Sequence, residues 1–98
     1  MDVVEKVSDV TAETVAEYLN LVEPNEADIN LINNLISIAK SFILKYTGQT
    51  DLDMTENFVI VLFILVQDMW DNRTLYVSTT NLNKVVETIL GMYSVNLL

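Results

Sequence analysis

The side chains able to do chemistry in this chain are carboxylates, phenols and a few amines. Its 98 residues include fourteen Asp and Glu, five Lys and Arg, and neither His nor Cys. Without imidazole or thiol, Ser-His and Cys-His nucleophile pairs and the common zinc sites cannot be assembled. Disulfides are excluded too, and the redox compartment stays open. Catalysis would fall to carboxylates, Lys84 or a tyrosine. Asp51 and Asp53, two apart ahead of a helix, faintly resemble a calcium loop, but the glycine and the distal bidentate Glu are missing from the required offsets. Glu13 and Glu17, four apart on an exposed helical face, repel slightly and read as a solvated face. Tyr46, Tyr76 and Tyr93 could stack on bases, yet no basic residues interleave with them as single-strand binders require. The expectation is no enzyme, no metal and no cofactor.

Trp70 and Arg73 differ in kind. Three apart near a helix end, they let the guanidinium lie against the indole or reach a carboxylate. Structurally, Arg73 would complement the negative helix terminus. Functionally, the pair would anchor a protein interface, since Trp and Arg are enriched in hot spots. Both readings stay open, and Tyr46, Gly48, Phe58 and Leu62 join the pair as structural or interface candidates.

The elements positioning these residues are helical. Residues 1–10 have weak periodicity and much charge, and read as a loosely held arm ahead of one domain over 11–98. Thr11 can cap a first helix with Val15, Tyr18, Leu19 and Val22 on one face, stopped by Pro24. Asn25 caps a second, with Glu26 and Asp28 at its positive end. Ile29, Ile32, Leu35, Ile36, Ala39, Phe42, Ile43 and Tyr46 hold helical phase, and Gly48 supplies a left-handed stop. Asp53 and Glu56 have capping-box spacing for a third helix. Phe58 to Val66 is apolar at every position, so a buried strand competes, but the nineteen residues 54–72, roughly 28 Å of helix, decide for helix. A helix apolar on all sides must be covered on all sides, so another subunit is expected to complete its cover. Leu75 to Val77 could form a short extended piece. Asn81 or Asn83 opens a last helix with Leu82, Val85, Val86, Ile89, Leu90 and Tyr93 in phase. The fold class is all-α, a small bundle of four helices with short loops.

Length fits one domain. The chain is 51% hydrophobic with mean hydropathy +0.34, a surplus that favours self-association. The net charge of −9 is uneven: eight acids face Lys6 alone up to Asp28, and six face Lys40, Lys45, Arg73 and Lys84 beyond it. No basic patch exists to grip DNA phosphates. The opening residues lack the pattern of a secretory signal, and the nine-residue apolar run is about half a membrane span. A soluble protein is expected, and the sequon Asn72-Arg73-Thr74 is read as coincidence.

In order along the chain, several segments resemble the phage head-tail connector family, the small head-completion or DNA-packaging proteins below the portal of long-tailed phages. Thr11-Ala12-Glu13-Thr14-Val15-Ala16-Glu17-Tyr18-Leu19 is similar to that family's opening helix, and Glu23 to Asp28 to its acidic turn. Ile29 through Tyr46-Thr47-Gly48 resembles the second helix and its close. Trp70-Asp71-Asn72-Arg73 resembles the end of the third, and Val85 to Leu90 the last. The likeness spans about residues 11–93. It departs where Met54-Thr55-Glu56 stands in place of a frequent Pro, in the uniformly apolar third helix, and in the arm before Thr11.

This resemblance implies a structural virion protein at the head-tail junction, present in the host cytoplasm during assembly or encoded by a prophage. Its partners would be a homo-oligomeric ring of about a dozen copies, the portal, and a stopper or tail-completion protein. Double-stranded DNA would pass without specific binding, and no membrane is involved. An acidic channel surface would repel phosphate and leave DNA free to slide. The main alternative is a small acidic DNA mimic that inhibits a DNA-binding protein, although its acids would be spread along one extended face. An antitoxin would bring a basic DNA-reading segment that is not found.

Overall fold

The computed structural model describes residues 5–95. It contains four α-helices, α1 (Ala12–Tyr18), α2 (Glu26–Thr47), α3 (Asn57–Asn72) and α4 (Lys84–Tyr93), with 3-10 turns at Val7–Asp9 and Leu52–Met54. No strand occurs among the described residues, so the strand alternative for Phe58 to Val66 falls, and Leu75 to Val77 runs through bends.

Local chemistry sets each boundary. Thr11 is extended and its Oγ1 accepts from the Thr14 N–H at 3.2 Å, satisfying one orphan donor of the first turn. The helix closes well before Pro24. Asn20 turns left-handed at φ 61°, its N–H bonds the Glu17 carbonyl, and the Leu21 N–H bonds the Ala16 carbonyl, each at 3.0 Å. That is the paired closure of a Schellman motif, with Asn in the place glycine usually takes. Val22, expected on the buried face, lies beyond this stop and is 88% exposed.

Asn25 and Asp28 form a reciprocal capping box: Asn25 Oδ1 accepts from the Asp28 N–H at 2.8 Å, and Asp28 Oδ2 accepts from the Asn25 N–H at 3.2 Å. After the twenty-two residues of α2, Gly48 at φ 73° ends the helix and donates its N–H to the Leu44 carbonyl at 2.9 Å. Buried Thr47 is satisfied both ways, donating to the Ile43 carbonyl at 2.7 Å and accepting from the Gln49 N–H at 3.2 Å.

The third helix starts later than its capping-box spacing suggests. Asp51 Oδ1 accepts from the Asp53 N–H at 2.9 Å and caps the short 3-10 turn, while Asp53 Oδ1 reaches away to the Ser8 N–H at 3.0 Å. With Asp53 committed elsewhere, Thr55 Oγ1 accepts from the Asn57 N–H at 3.2 Å at the helix start, and Glu56 makes no side-chain cap. The result is sixteen residues in place of nineteen. At its other end, Arg73 takes φ 56°, with the Arg73 N–H to the Trp70 carbonyl at 3.4 Å and the Thr74 N–H to the Met69 carbonyl at 3.0 Å. This is a second Schellman closure, with a non-glycine residue carrying a left-handed cost of about 1 to 2 kcal/mol.

The core lies between α2 and α3, completed by α1, α4 and the amino-terminal turn. Ile32, Leu35, Ala39 and Ile43 of α2 meet Phe58, Val61, Leu62, Leu65 and Val66 of α3. Val7 and Val10 are buried in this same cluster, because residues 5–10 fold onto the bundle through the Ser8–Asp53 bond. Residues 1–4 of the expected arm lie outside the described residues. Tyr18 stacks on Phe63 with centroids 4.9 Å apart, so α1, which packs on α2, reaches α3 through this ring. Between Phe58 and Val66 only Ile60, 49% exposed, faces outward. The chain itself therefore supplies nearly all the cover that α3 was expected to take from another subunit.

Candidate interaction surface

The predicted residues separate into two groups once the bundle closes. Phe58 and Leu62 are fully buried, and Phe58 meets Tyr93 edge-on at 5.3 Å. Their role is structural, since neither reaches the surface. Tyr46 is 38% exposed and packs obliquely on Phe42 at 5.5 Å. Together with Gly48, Gly91 and Val95 it borders a broad open hollow. Trp70 is half-buried and Arg73 exposed, the guanidinium lying 5.9 Å from the indole centroid. That contact exists, yet the first duty of Arg73 is to close α3 in the left-handed conformation.

Tyr93 pins one end of the bundle. Its hydroxyl accepts from Thr55 Oγ1 at 3.2 Å and Asn57 Nδ2 at 3.0 Å. Its carbonyl accepts from Gln49 Nε2 at 2.7 Å. The Val95 N–H then donates to the Thr47 carbonyl at 2.8 Å. One tyrosine thus ties the close of α2, the start of α3 and the end of α4, in place of the base-stacking role its ring chemistry allowed.

A cleft of about 370 Å³ opens between the later turns of α3 and the 74–82 segment, with Leu65, Met69 and Leu82 as apolar walls and Asp68, Asn72, Thr74, Ser78 and Asn81 as polar ones. Desolvation at the cleft mouth, reinforced by the Asp71 charge, raises the Asp68 carboxyl above its ordinary value. Asp53 moves the other way, because the hydrogen bonds from Ser8, backbone first, favour its ionised form. Thr74, Tyr76 and Ser78 bring hydroxyl groups to the same cleft as Asp68. Among the described residues no cluster of three acidic side chains is disposed to hold a metal ion. No described helix is long and apolar enough to cross a membrane.

The features with the most reach are at the surface. All thirteen described carboxylate residues except Asp28 are exposed. The one ion pair among the described residues is Lys84–Glu87 at 4.0 Å, with side chains 92% and 52% exposed, a pair of negligible worth to stability. Residues 1–72 hold thirteen acidic and three basic residues, whereas residues 73–98 hold one acidic and two basic. That nearly neutral stretch also carries most of the exposed apolar bulk: Leu75 at 62%, Tyr76 at 64%, Val85 at 51% and Met92 at 64%. Periodicity set Val85 in phase with the inward residues of α4, whereas Leu75 and Tyr76 lie in the segment before that helix. Val86 and Leu90 point inward, while Val85, Ile89 and Met92, spaced four and three apart, form a second stripe.

No family model, curated protein or solved structure matches the chain.

Proposed function

We propose that this protein is a structural component of the phage head-tail junction, a ring subunit of about a dozen copies that extends the portal channel and docks a stopper or tail-completion protein. The observation that carries the reading is the uneven distribution along the chain: thirteen of the fourteen acids precede residue 73, while exposed Leu75, Tyr76, Val85 and Met92 follow it. A subunit lining a DNA conduit needs both: carboxylates that repel phosphate along the path, and uncharged apolar surface for neighbours that themselves carry −9. Exposed apolar groups on residues 75–92 supply the second requirement, a task the buried α3 cannot perform. The resemblance over residues 11–93 supplies the context in which such a ring works.

Sedimentation velocity of the purified chain, alone and with a portal ring, tests this. Ring-sized species, free or built on the portal, are the expected result. A chain that remains monomeric and does not bind portal refutes it. Competition with DNA for a nuclease or repressor, abolished by moderate salt, would instead establish the DNA-mimic reading.

A further inference from the structure

The cleft between the later turns of α3 and the 74–82 segment has a size, a charge and a set of polar atoms that together define a ligand class. Its volume of about 370 Å³ lies toward the lower end of small-molecule sites, roughly 300 to 1,000 Å³, so it can hold a small molecule or one long side chain. Buried Leu65 and Met69, with half-buried Leu82, give it apolar walls suited to a stem of several methylene groups. Asp68 at the mouth is the one charged residue of the lining.

No cation of the chain answers that carboxylate. Among the described residues the one ion pair is Lys84–Glu87, the Arg73 guanidinium lies over Trp70, and the charge acting on Asp68 is another acid, Asp71. Desolvation and repulsion both oppose its ionised form, and a cation placed in the cleft would offset both. The uncharged polar walls add acceptors. Thr74 commits its only hydroxyl hydrogen to the Tyr76 carbonyl at 3.4 Å, and Asn72 Nδ2 donates to the Asp68 carbonyl at 2.9 Å, which leaves Thr74 Oγ1 and Asn72 Oδ1 to accept from a ligand.

We propose that this cleft binds an organic cation, an ammonium or guanidinium head on an apolar stem, with the head at Asp68 and the stem along Leu65, Met69 and Leu82. An anion would meet two carboxylates and no basic residue. A neutral apolar molecule would desolvate Asp68 further without compensation, and a bare inorganic cation would leave the apolar walls uncovered. The net charge of −9 attracts cations of every kind, and the cleft selects among them. Free alkylamines and the Lys or Arg side chains of a partner protein share this head and stem. Such a site works equally in a lone chain and in a ring.

Titrating n-butylammonium into the full-length ¹⁵N-labelled chain at neutral pH and physiological salt should give saturable amide shifts confined to residues 65–82. Three probes dissect the site: n-butanol has the stem without charge, ammonium chloride the charge without the stem, and butyltrimethylammonium both without N–H donors. Each should bind at least about tenfold more weakly. Asp68→Asn keeps the side-chain shape and should weaken n-butylammonium by at least about tenfold. Glu13→Gln, an equal loss of charge at an exposed position of α1, should change binding by less than about twofold. Melting curves verify that both variants are folded. Acetyl-lysine methylamide separates the two sources: binding as tight as that of n-butylammonium assigns the site to a protein side chain, and much weaker binding assigns it to a free amine. Shifts that do not saturate or that spread over the acidic surface would overturn the site. So would an equal response to n-butanol, or an Asp68→Asn variant that binds as wild type does.

Discussion

Gly48→Ala separates two physical costs that meet at one atom. Gly48 closes α2 at φ 73°, where an added Cβ crowds the following carbonyl at a cost of about 1 to 2 kcal/mol. The same Cβ would lie 2.6 Å from Val95 Cγ2, closer than carbon atoms approach without displacement. Val95 cannot simply retreat, because its N–H is bound to the Thr47 carbonyl at 2.8 Å. Relieving the overlap by rotamer or backbone shift adds roughly 1 kcal/mol or more. The expected total is about 2 to 4 kcal/mol, a fall in melting temperature on the order of 10 to 25 °C for a domain of this size. Urea unfolding followed by circular dichroism measures it directly. In a Val95→Ala background the steric part should vanish and the loss should return to about 1 to 2 kcal/mol, so the coupling energy of the double-mutant cycle reports the overlap alone. A loss under about 0.5 kcal/mol in wild type, or an equal loss in both backgrounds, refutes the geometry assigned to this stop.

Three further outcomes follow from the same reasoning. Tyr93→Phe removes the acceptor shared by Thr55 and Asn57, and leaving those part-buried donors unmet should cost about 1 to 3 kcal/mol by chemical denaturation. Arg73→Gly relieves a left-handed residue while losing a solvent-exposed cation-π contact, so its stability in thermal melts should change by less than about 1 kcal/mol in either direction, whereas Arg73→Val should lose more than about 1 kcal/mol. Asp68→Asn should raise the melting temperature at pH 7. The folded-state carboxyl titrates above its unfolded value, so its ionised form opposes folding at neutral pH; that opposition fades as pH falls through the raised value, and the variant's advantage should disappear in acid.

Helix identity was readable because it depends on local pattern. The phase of Ile32, Leu35, Ile36, Ala39 and Ile43, the Asn25 cap and the Gly48 stop all operate within one or two turns, and each is present in the structure. Boundaries were less readable where a side chain had two possible partners. Asp53 has capping spacing to Glu56, yet it bonds Ser8, forty-five residues away, a partner no local pattern can indicate. The α1 end shows the same limit. Pro24 is a valid breaker, but Asn20 acted first by adopting the left-handed closure, which turned Val22 from a core position into the most exposed large apolar residue among the described residues.

The least readable feature was where the apolar surplus resides. Composition registers an excess without placing it, and the unbroken run from Phe58 to Val66 draws the eye to α3. A central helix in a bundle this small is the element its own chain encloses best, since α2, α4 and the Val7–Asp9 turn pack against it and Tyr18 of α1 stacks on Phe63. The surplus must then appear on a peripheral element with apolar residues on two faces. In α4, Val86 and Leu90 fill the core, Ile89 packs at its edge, and Val85 and Met92 stay exposed. A peripheral helix can be apolar outward without destabilising the monomer, because its inner stripe alone secures it. The outer stripe is therefore free to serve association, and its alteration should change assembly while leaving the fold in place.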